Sequence, residues 1–373
     1  MEKYIFCAPT IFGLEGVVRD ELKHLGMADV SGEEGRVYFS GSLSDAAEAL
    51  VNLRAAERVQ IAAAQFEART FDELFEGVKA VEWERYIPKG CAFPVRGHCV
   101  DSQLMSVNDC VSIIRKAVAT RLGSRYHTTL LDESGPVRQI RFTILRNRVM
   151  LHVDLTGEPL HKRGYRPKAM AAPLRETLAA GMVLLMRYRG RDIFRDPMCG
   201  SGTIPIEAAL IAKNRAPGLL RHFSIEDWEN GANFVRDAKE RARAREYDKE
   251  YDILGSDIDP EAIEVARDNA SRAGVGSILR FRQADAREFT PPEGRTCVIL
   301  NPPYGVRLSD GIDAGNLMKA FGRQMASAEN CDLGILSADP ELEQWIGAKA
   351  TKRRRLYNGM LKCQFSMYFN NKK

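Results

Sequence analysis

The chain has 373 residues, 45% of them apolar and 28% charged, with a formal charge of +4. At roughly 100–200 residues per domain this allows two or three domains with cores of their own, and the composition excludes long disorder. No run approaches the ~20 apolar residues that cross a bilayer, so no membrane partner is expected, and so mild a charge permits contact with nucleic acid without requiring it.

The start, MEKYIFCAPTIFGLEG, lacks a basic region followed by an apolar run and a small-residue cleavage site, which points to a cytoplasmic protein. Residues Lys3–Ala8 read as a strand. Leu14, Val17, Val18, Leu22 and Leu25 then recur at helical spacing. A short strand, Val37–Ser40, leads to Ser44, the expected N-cap of a helix over Asp45–Leu53. These elements make a small α+β unit, placed at 1–64.

A second unit is placed at 65–156, with a start near 45 as the alternative. Thr70 and Glu73 form a capping-box pattern, and Phe93–Cys99 reads as a strand. Val107, Cys110, Val111, Ile114, Val118 and Leu122 make one apolar helix stripe, capped by Ser106 with Asp109 three residues on. A hairpin follows: Ile140, Phe142 and Ile144 alternate with polar residues, Arg146-Asn147-Arg148 turn the chain, and Val149, Leu151, Val153 and Leu155 continue. The linker beyond it carries Lys162, Arg163, Arg166 and Lys168 around Tyr165, and suits either a solvated loop or phosphate contact.

From about 157 to 373, helices alternate with the strand candidates Asp192–Asp196, Asp252–Asp257, Ser277–Gln283, Cys297–Asn301 and Leu333–Ser337. This is the α/β pattern of a parallel sheet wound on both faces. Arg353–Tyr357 and Met360–Phe369 flank Asn358-Gly359, a dipeptide suited to a type I′ turn, so the sheet is expected to end in an antiparallel hairpin. The eight cysteines include no C-x-x-C pair and the six histidines are scattered, so no metal site is expected.

Four motifs stand at successive strand ends. Gly200 and Gly202, in Asp196-Pro197-Met198-Cys199-Gly200-Ser201-Gly202-Thr203, let a backbone approach a ligand at a helix start, though alone they equally make a tight turn. Pro205 replaces the third glycine of a dinucleotide fingerprint, and the Gly-Lys-Ser/Thr ending of a P-loop is absent. Asp257, in Gly255-Ser256-Asp257-Ile258-Asp259-Pro260, lies where an acidic side chain can accept both hydroxyls of a ribose; the plainer reading is a helix cap. Asp285 ends the third strand and can accept from an adenine amino group. In Asn301-Pro302-Pro303-Tyr304 the prolines fix the backbone, and the Asn301 side-chain oxygen and Pro302 carbonyl can accept together from one exocyclic NH2 group. Two acceptors favour a tetrahedral nitrogen, turning its lone pair out of the ring. Tyr304 offers a face for a flipped base.

With DPMCGSGTIPIEAALIA, GSDIDPEAIEVARDNA and NPPYGVRL on the page, the chain resembles bacterial THUMP-domain RNA methyltransferases. Its catalytic half is similar to class I S-adenosylmethionine-dependent enzymes that methylate amino groups, most closely those acting on N2 of guanine in 23S rRNA. The resemblance implies a Rossmann-like methyltransferase sheet with a C-terminal antiparallel hairpin, preceded by ferredoxin-like and THUMP units. It implies S-adenosylmethionine as cofactor, with Asp196, Pro197, Gly200 and Gly202 around its methionine part. Asp257 would hold the ribose, Ile258 would pack on adenine, and Asp285 with Ala286 would read the adenine edge. Asn301, Pro302, Pro303 and Tyr304 would address the target amine, with Asn301 also near the cofactor. RNA, ribosomal or transfer, is the expected partner.

Expected phosphate contacts are Arg146, Arg148, Lys162, Arg163, Arg166, Lys168, Arg353 and Arg354, with Arg138, Arg141, Lys352 and Arg355 in the same clusters. The tetrapeptide also serves DNA adenine and protein glutamine methylation, and a non-enzymatic RNA-binding assembly factor is a further alternative; the intact motifs and the N-terminal module argue against these. A ring-carbon enzyme would need a cysteine nucleophile, a role that neither Cys199 nor Cys297 suits. The segment 214–251 is long for this fold, and its charged helix, Phe234–Tyr247, has no assigned role.

Overall fold

The computed structural model of the protein describes residues 3–166, 174–303, 314–326 and 328–370. Its first part builds one sheet from β1 (Tyr4–Pro9), β2 (Ala28–Glu33), β3 (Arg36–Gly41), β4 (Gln60–Glu67), β5 (Val95–Val100), β6 (Ile140–Leu145) and β7 (Arg148–Asp154). Helices α1 (Glu15–His24), α2 (Leu43–Asn52), α3 (Phe71–Lys79) and α4 (Val107–Tyr126) accompany it. The strand order is β2-β3-β1-β4-β7-β6-β5. Strand β4 straddles the expected boundary at 64/65 and pairs with β1 on one side and β7 on the other, so a single sheet runs through both N-terminal units.

Local signals in this half translate directly. Thr70 and Glu73 close a reciprocal capping box on α3, and the Ser106 side chain accepts from the Asp109 N–H at the start of α4. One cap differs from expectation: Ser42, not Ser44, caps α2, because Asp45 sits at N3 and completes a capping box with it. The β6–β7 turn consists of Arg146 and Asn147 alone, with φ of 51° and 65°, while Arg148 already pairs with Leu145. Both central residues lie in the left-handed region, as a type I′ turn requires.

The second part comprises α5 (Glu176–Leu185), β8 (Ile193–Asp196), α6 (Thr203–Ala212), α7 (Gly231–Ala244), β9 (Ile253–Asp257), α8 (Pro260–Ala273), β10 (Leu279–Gln283), β11 (Thr296–Leu300), α9 (Ala314–Met325), β12 (Cys331–Ser337), α10 (Leu342–Ile346), β13 (Lys352–Asn358) and β14 (Leu361–Tyr368). The sheet order is β10-β9-β8-β11-β12-β14-β13; the first five are parallel and β14 runs against β12. The final turn corrects the expected register. Asn358 pairs with Leu361, so Gly359 and Met360 form the turn, and the positive φ falls at Gly359 alone. That is the type II′ pattern rather than I′.

The two parts share a core that runs from Phe6 to Met367. A Cβ added at Gly181 in α5 would stand 2.5 Å from the Leu14 side chain, and the Gly218 N–H donates to the Val51 carbonyl at 2.9 Å. The charged helix of segment 214–251 is α7, three residues upstream of its expected position at both ends. It packs on α2, where Glu48 accepts from Arg241 at 3.0 Å and Arg245 at 2.8 Å. The insertion therefore fastens the N-terminal unit to the second part of the chain.

Candidate active site

In an open parallel sheet, ligands bind beyond the carboxyl ends of the strands where the order reverses. Here that point lies between the adjacent strands β8 and β11. Asp196 ends β8 and is buried; its Oδ1 accepts from the Met198 N–H at 3.2 Å, while its Oδ2 has no partner. Asn301 follows β11, and its Oδ1 is likewise buried and unpartnered. Two orphaned acceptors thus stand at the ends of neighbouring central strands. Buried polar atoms are nearly always paired, and neither of these has a partner among the described residues. Pro302 is buried and Pro303 half-buried behind Asn301. Tyr304 lies outside the described residues.

The glycine loop shows why each glycine is there. Gly202, at φ 81°, precedes α6, and a Cβ on it would sit 2.9 Å from both Ala266 Cβ and Phe281 Cζ. Gly200, at φ 50°, has nothing within 4 Å of its Cβ position, so its bare backbone faces open space. Pro197 is buried between Asp196 and this loop. Asp257 joins the first two motifs physically: its Oδ2 accepts from the Gly200 N–H at 2.8 Å and its Oδ1 from the Asp259 N–H at 3.1 Å. An ionised carboxylate has about four acceptor positions, so capacity for ligand hydroxyls remains. Ile258, 51% exposed beside it, offers a bare apolar surface.

Asp285 departs from the simple expectation. It caps the short turn Ala286–Glu288, accepting from the Arg287 N–H at 2.8 Å, and both its oxygens pair with the Arg287 side chain. That guanidinium holds the carboxyl below the ordinary range. To receive an adenine amine, Asp285 would have to share itself with Arg287. Ala286 is buried directly behind.

Burial, with Asp257 nearby as a further cause, holds the Asp196 carboxyl well above the ordinary carboxylate range. Burial likewise pushes the thiols of Cys199 and Cys297 well above their usual range, which leaves neither available as a thiolate nucleophile at neutral pH. Among the described residues no group of three or more His, Cys, Asp or Glu side chains is arranged to hold a metal ion.

The expected phosphate contacts divide. Arg148 is exposed, and Arg146 is exposed but 3.5 Å from Asp101. Lys162 is exposed beside Glu158, Arg354 is exposed, and Arg353 is paired with Glu343. Lys168 lies outside the described residues. Arg163 and Arg166 are corrected by the structure. Arg163 is 2% exposed; it donates to the Leu160 and Arg54 carbonyls and reaches Glu207, which also accepts from the Tyr165 hydroxyl. Arg166 is largely buried, paired with Glu176, and donates to Thr203 Oγ1 at 3.0 Å. Arg138 is buried too, with its guanidinium over the Trp228 ring. Protein groups already occupy these guanidinium groups: Arg163 and Arg166 hold the linker against the glycine-loop helix, and Arg138 donates to the Asp227 carbonyl in the insertion. No sequence signal announced them, because their partners are as far as 109 positions away.

A cleft of about 950 Å³ opens where the linker faces the insertion, lined by Lys162, Arg166, Arg175, Arg221 and His222 among others. Its cations outnumber the facing carboxylates of Glu158, Glu176 and Asp227.

Known proteins match along the whole chain. An RlmL ferredoxin-like domain matches residues 5–60, a THUMP domain residues 68–154, and an RMKL-like methyltransferase domain residues 163–367. The chain is 37% identical to "Putative RNA methyltransferase YpsC" of Bacillus subtilis (strain 168), the match covering 99% of this chain and 97% of that protein. It is 33% identical to ribosomal RNA large subunit methyltransferase K/L of Psychromonas ingrahamii, over 96% of this chain and 49% of that one. The chain thus spans about half the length of the K/L relative. The crystal structure of SMU.472 complexed with SAH superposes with a TM-score of 0.92 and 36% identity, covering 100% of both chains.

Proposed function

Since the chain belongs to the family of RMKL-like methyltransferases with RlmL ferredoxin-like and THUMP domains, we propose that it transfers a methyl group from S-adenosylmethionine to the exocyclic N2 amine of a guanine in structured 23S rRNA. The observation that carries this reading is the pair of buried, unpartnered acceptors, Asp196 Oδ2 and Asn301 Oδ1, at the ends of adjacent strands. The residues present suit the cofactor. Asp196 offers a buried carboxylate to a cation, Gly200 leaves its backbone open, Asp257 keeps acceptor capacity for ribose hydroxyls, and Ile258 is a bare apolar surface for adenine.

When bound, S-adenosylmethionine supplies an electrophilic methyl group on a sulfonium. The chain's own part is to orient the amine. Asn301 Oδ1 and the Pro302 carbonyl accept hydrogen bonds from its two N–H groups, which favours a tetrahedral nitrogen with its lone pair free of the ring. Their contacts strengthen as positive charge develops on that nitrogen, so they act on the transition state more than on binding. The methylated amine is then a strong acid and loses a proton to water or to the Asn301 oxygen, so no strongly basic side chain is required. The division of labour we propose gives 1–64 and 65–156 to gripping RNA and 157–373 to catalysis. The shared core and the α2–α7 joint would hold the two at a fixed distance.

The test is mass spectrometry of nucleosides from ribosomal and transfer RNA of cells lacking the protein. Loss of N2-methylguanosine from the large-subunit RNA is expected. An unchanged nucleoside profile in both RNAs would sink the reading; loss of a methylated adenine, or loss from tRNA alone, would move it to that substrate.

A further inference from the structure

Strand β14 pairs with β12 only as far as Gln364, opposite Ser337, the last residue of β12. Beyond that point Leu356–Asn358 and Leu361–Cys363 form strand pairs with each other and with no other strand among the described residues. This two-stranded stem overhangs the sheet by about 10 Å, three residues at roughly 3.3 Å each. It overhangs the same edge at which Asn301 stands, since Leu300 is level with Ile335 and Ile335 with Ser366. At two to three strand spacings of ~4.8 Å, the stem lies roughly 10–14 Å to the side of Asn301. That is the height of about three or four stacked bases.

The stem is braced. Leu356 and Cys363 are buried, the Phe12 ring meets Tyr357 edge-on at 6.1 Å, and Gly13 lies against the Arg355 carbonyl, leaving no room for a Cβ. Its tip is bare: Met360 is 100% exposed and Leu361 beside it 42%. Lys362 on the stem and Arg355 at its foot are exposed, with Arg354 and Lys352 further along β13, and none of the four forms an ion pair among the described residues. Basic groups on an edge strand also discourage strand pairing, but that purpose calls for a polar turn, not for methionine at its apex.

We propose that Met360, with Leu361, is a wedge that enters the RNA base stack beside the target nucleotide and holds the gap open while that base is extruded to Asn301. Apolar side chains such as methionine and leucine serve this purpose between base steps, and a base must leave the stack before its amine can be reached. The cations around the stem hold the flanking phosphates. The brace through Phe12 and Gly13 ties the wedge to the RNA-gripping half, so docking of the RNA and entry of the wedge occur together. This inference rests on the RNA-methylating reading above.

The experiment uses the full chain with in vitro transcribed, unmodified 23S rRNA and labelled S-adenosylmethionine, and compares Met360→Gln, Met360→Leu and wild type. Wild-type turnover is measured first; if it is absent, the functional reading fails and the wedge with it. Given turnover, Met360→Gln should lower it by about tenfold, with RNA affinity and SAH affinity within about threefold of wild type. Met360→Leu should restore most of the rate. Because the side chain is wholly exposed, neither variant should alter folding, and an unchanged melting temperature checks this. A second readout places 2-aminopurine next to the methylated nucleotide in a short RNA hairpin. Its fluorescence should rise on binding wild type and Met360→Leu, but not Met360→Gln. Equal turnover in all three proteins, or equal loss in both variants, overturns the wedge while leaving the functional reading intact.

Discussion

Removing the Asn301 side chain takes away one of the two acceptors at the strand ends that have no partner among the described residues. Asn301→Ala should lower methyl transfer by about 100-fold or more, the usual cost of losing one transition-state contact, with SAH affinity within about threefold. Equal losses in both would show that Asn301 serves the cofactor instead. Asp257→Ala should weaken cofactor binding by about 1.5–3 kcal/mol, as for a hydrogen bond to a charged group. It also frees the Gly200 N–H that the carboxylate holds at 2.8 Å. Calorimetry showing unchanged affinity would remove Asp257 from the ribose role. With Asp196 beside the cofactor, as proposed, binding should be pH-dependent. Its raised pKa means that its stability contribution in the ligand-free fold is full below the unfolded-state pKa and is lost as pH rises through the folded one. A cationic ligand beside it lowers that pKa again, so binding should release a proton and affinity should rise with pH over that interval. Identical binding enthalpies in buffers of different ionisation heat would count against this.

At the scale of elements, the linker and the insertion divide into parts that hold the fold and parts that face outward. Arg163 and Glu207 are 2% and 0% exposed. Arg163→Ala leaves Glu207 buried with the Tyr165 hydroxyl as its remaining side-chain partner among the described residues, and should destabilise the protein by about 3–5 kcal/mol in denaturant titration. Lys162, one position earlier, is exposed. Lys162→Ala should leave stability unchanged and reduce the slope of log affinity against log salt for RNA by about one. If Arg163→Ala proved as stable as wild type, the buried pair would not be what holds the linker. The α3 capping box and the β6–β7 hairpin were readable because Thr70 with Glu73, or Arg146 with Asn147, carry their whole signal within a few residues. Strand β4 was not: Ala62–Ala64 have weak strand preference, and it is pairing with β1 and β7 that makes them a strand. Strand β2, Ala28–Glu33, is mostly exposed and polar, and shows no alternation to read.

For the whole molecule, the shared core bears on how its halves can be tested. A catalytic half beginning at residue 157 would expose the face on which Leu14 packs against Gly181, and would strand Arg241 and Arg245 without Glu48. Removal of residues 1–156 is therefore expected to yield aggregated or partly unfolded protein in sedimentation and circular dichroism, not a cofactor-binding domain. A soluble, cooperatively melting fragment would show that the joint contributes little. Substitutions such as Lys162→Ala, which leave the joint intact, are the cleaner way to separate RNA binding from catalysis.

Sequence alone determined the order of the strands in the second half of the chain and placed its polar motifs at their ends. Asp196, the two loop glycines, Asp257 and Asn301 each belong to a short motif after an apolar strand, and such motifs depend on neighbours in the chain. The tertiary structure decided what depends on distant partners: which arginines are free for phosphate and which are buried against carboxylates, and the use of the 214–251 insertion as a clamp on α2. It also decided the projection of Met360 beyond the catalytic edge. Burial and pairing across tens of residues depend on how the chain returns on itself, and no local window of sequence carries that information.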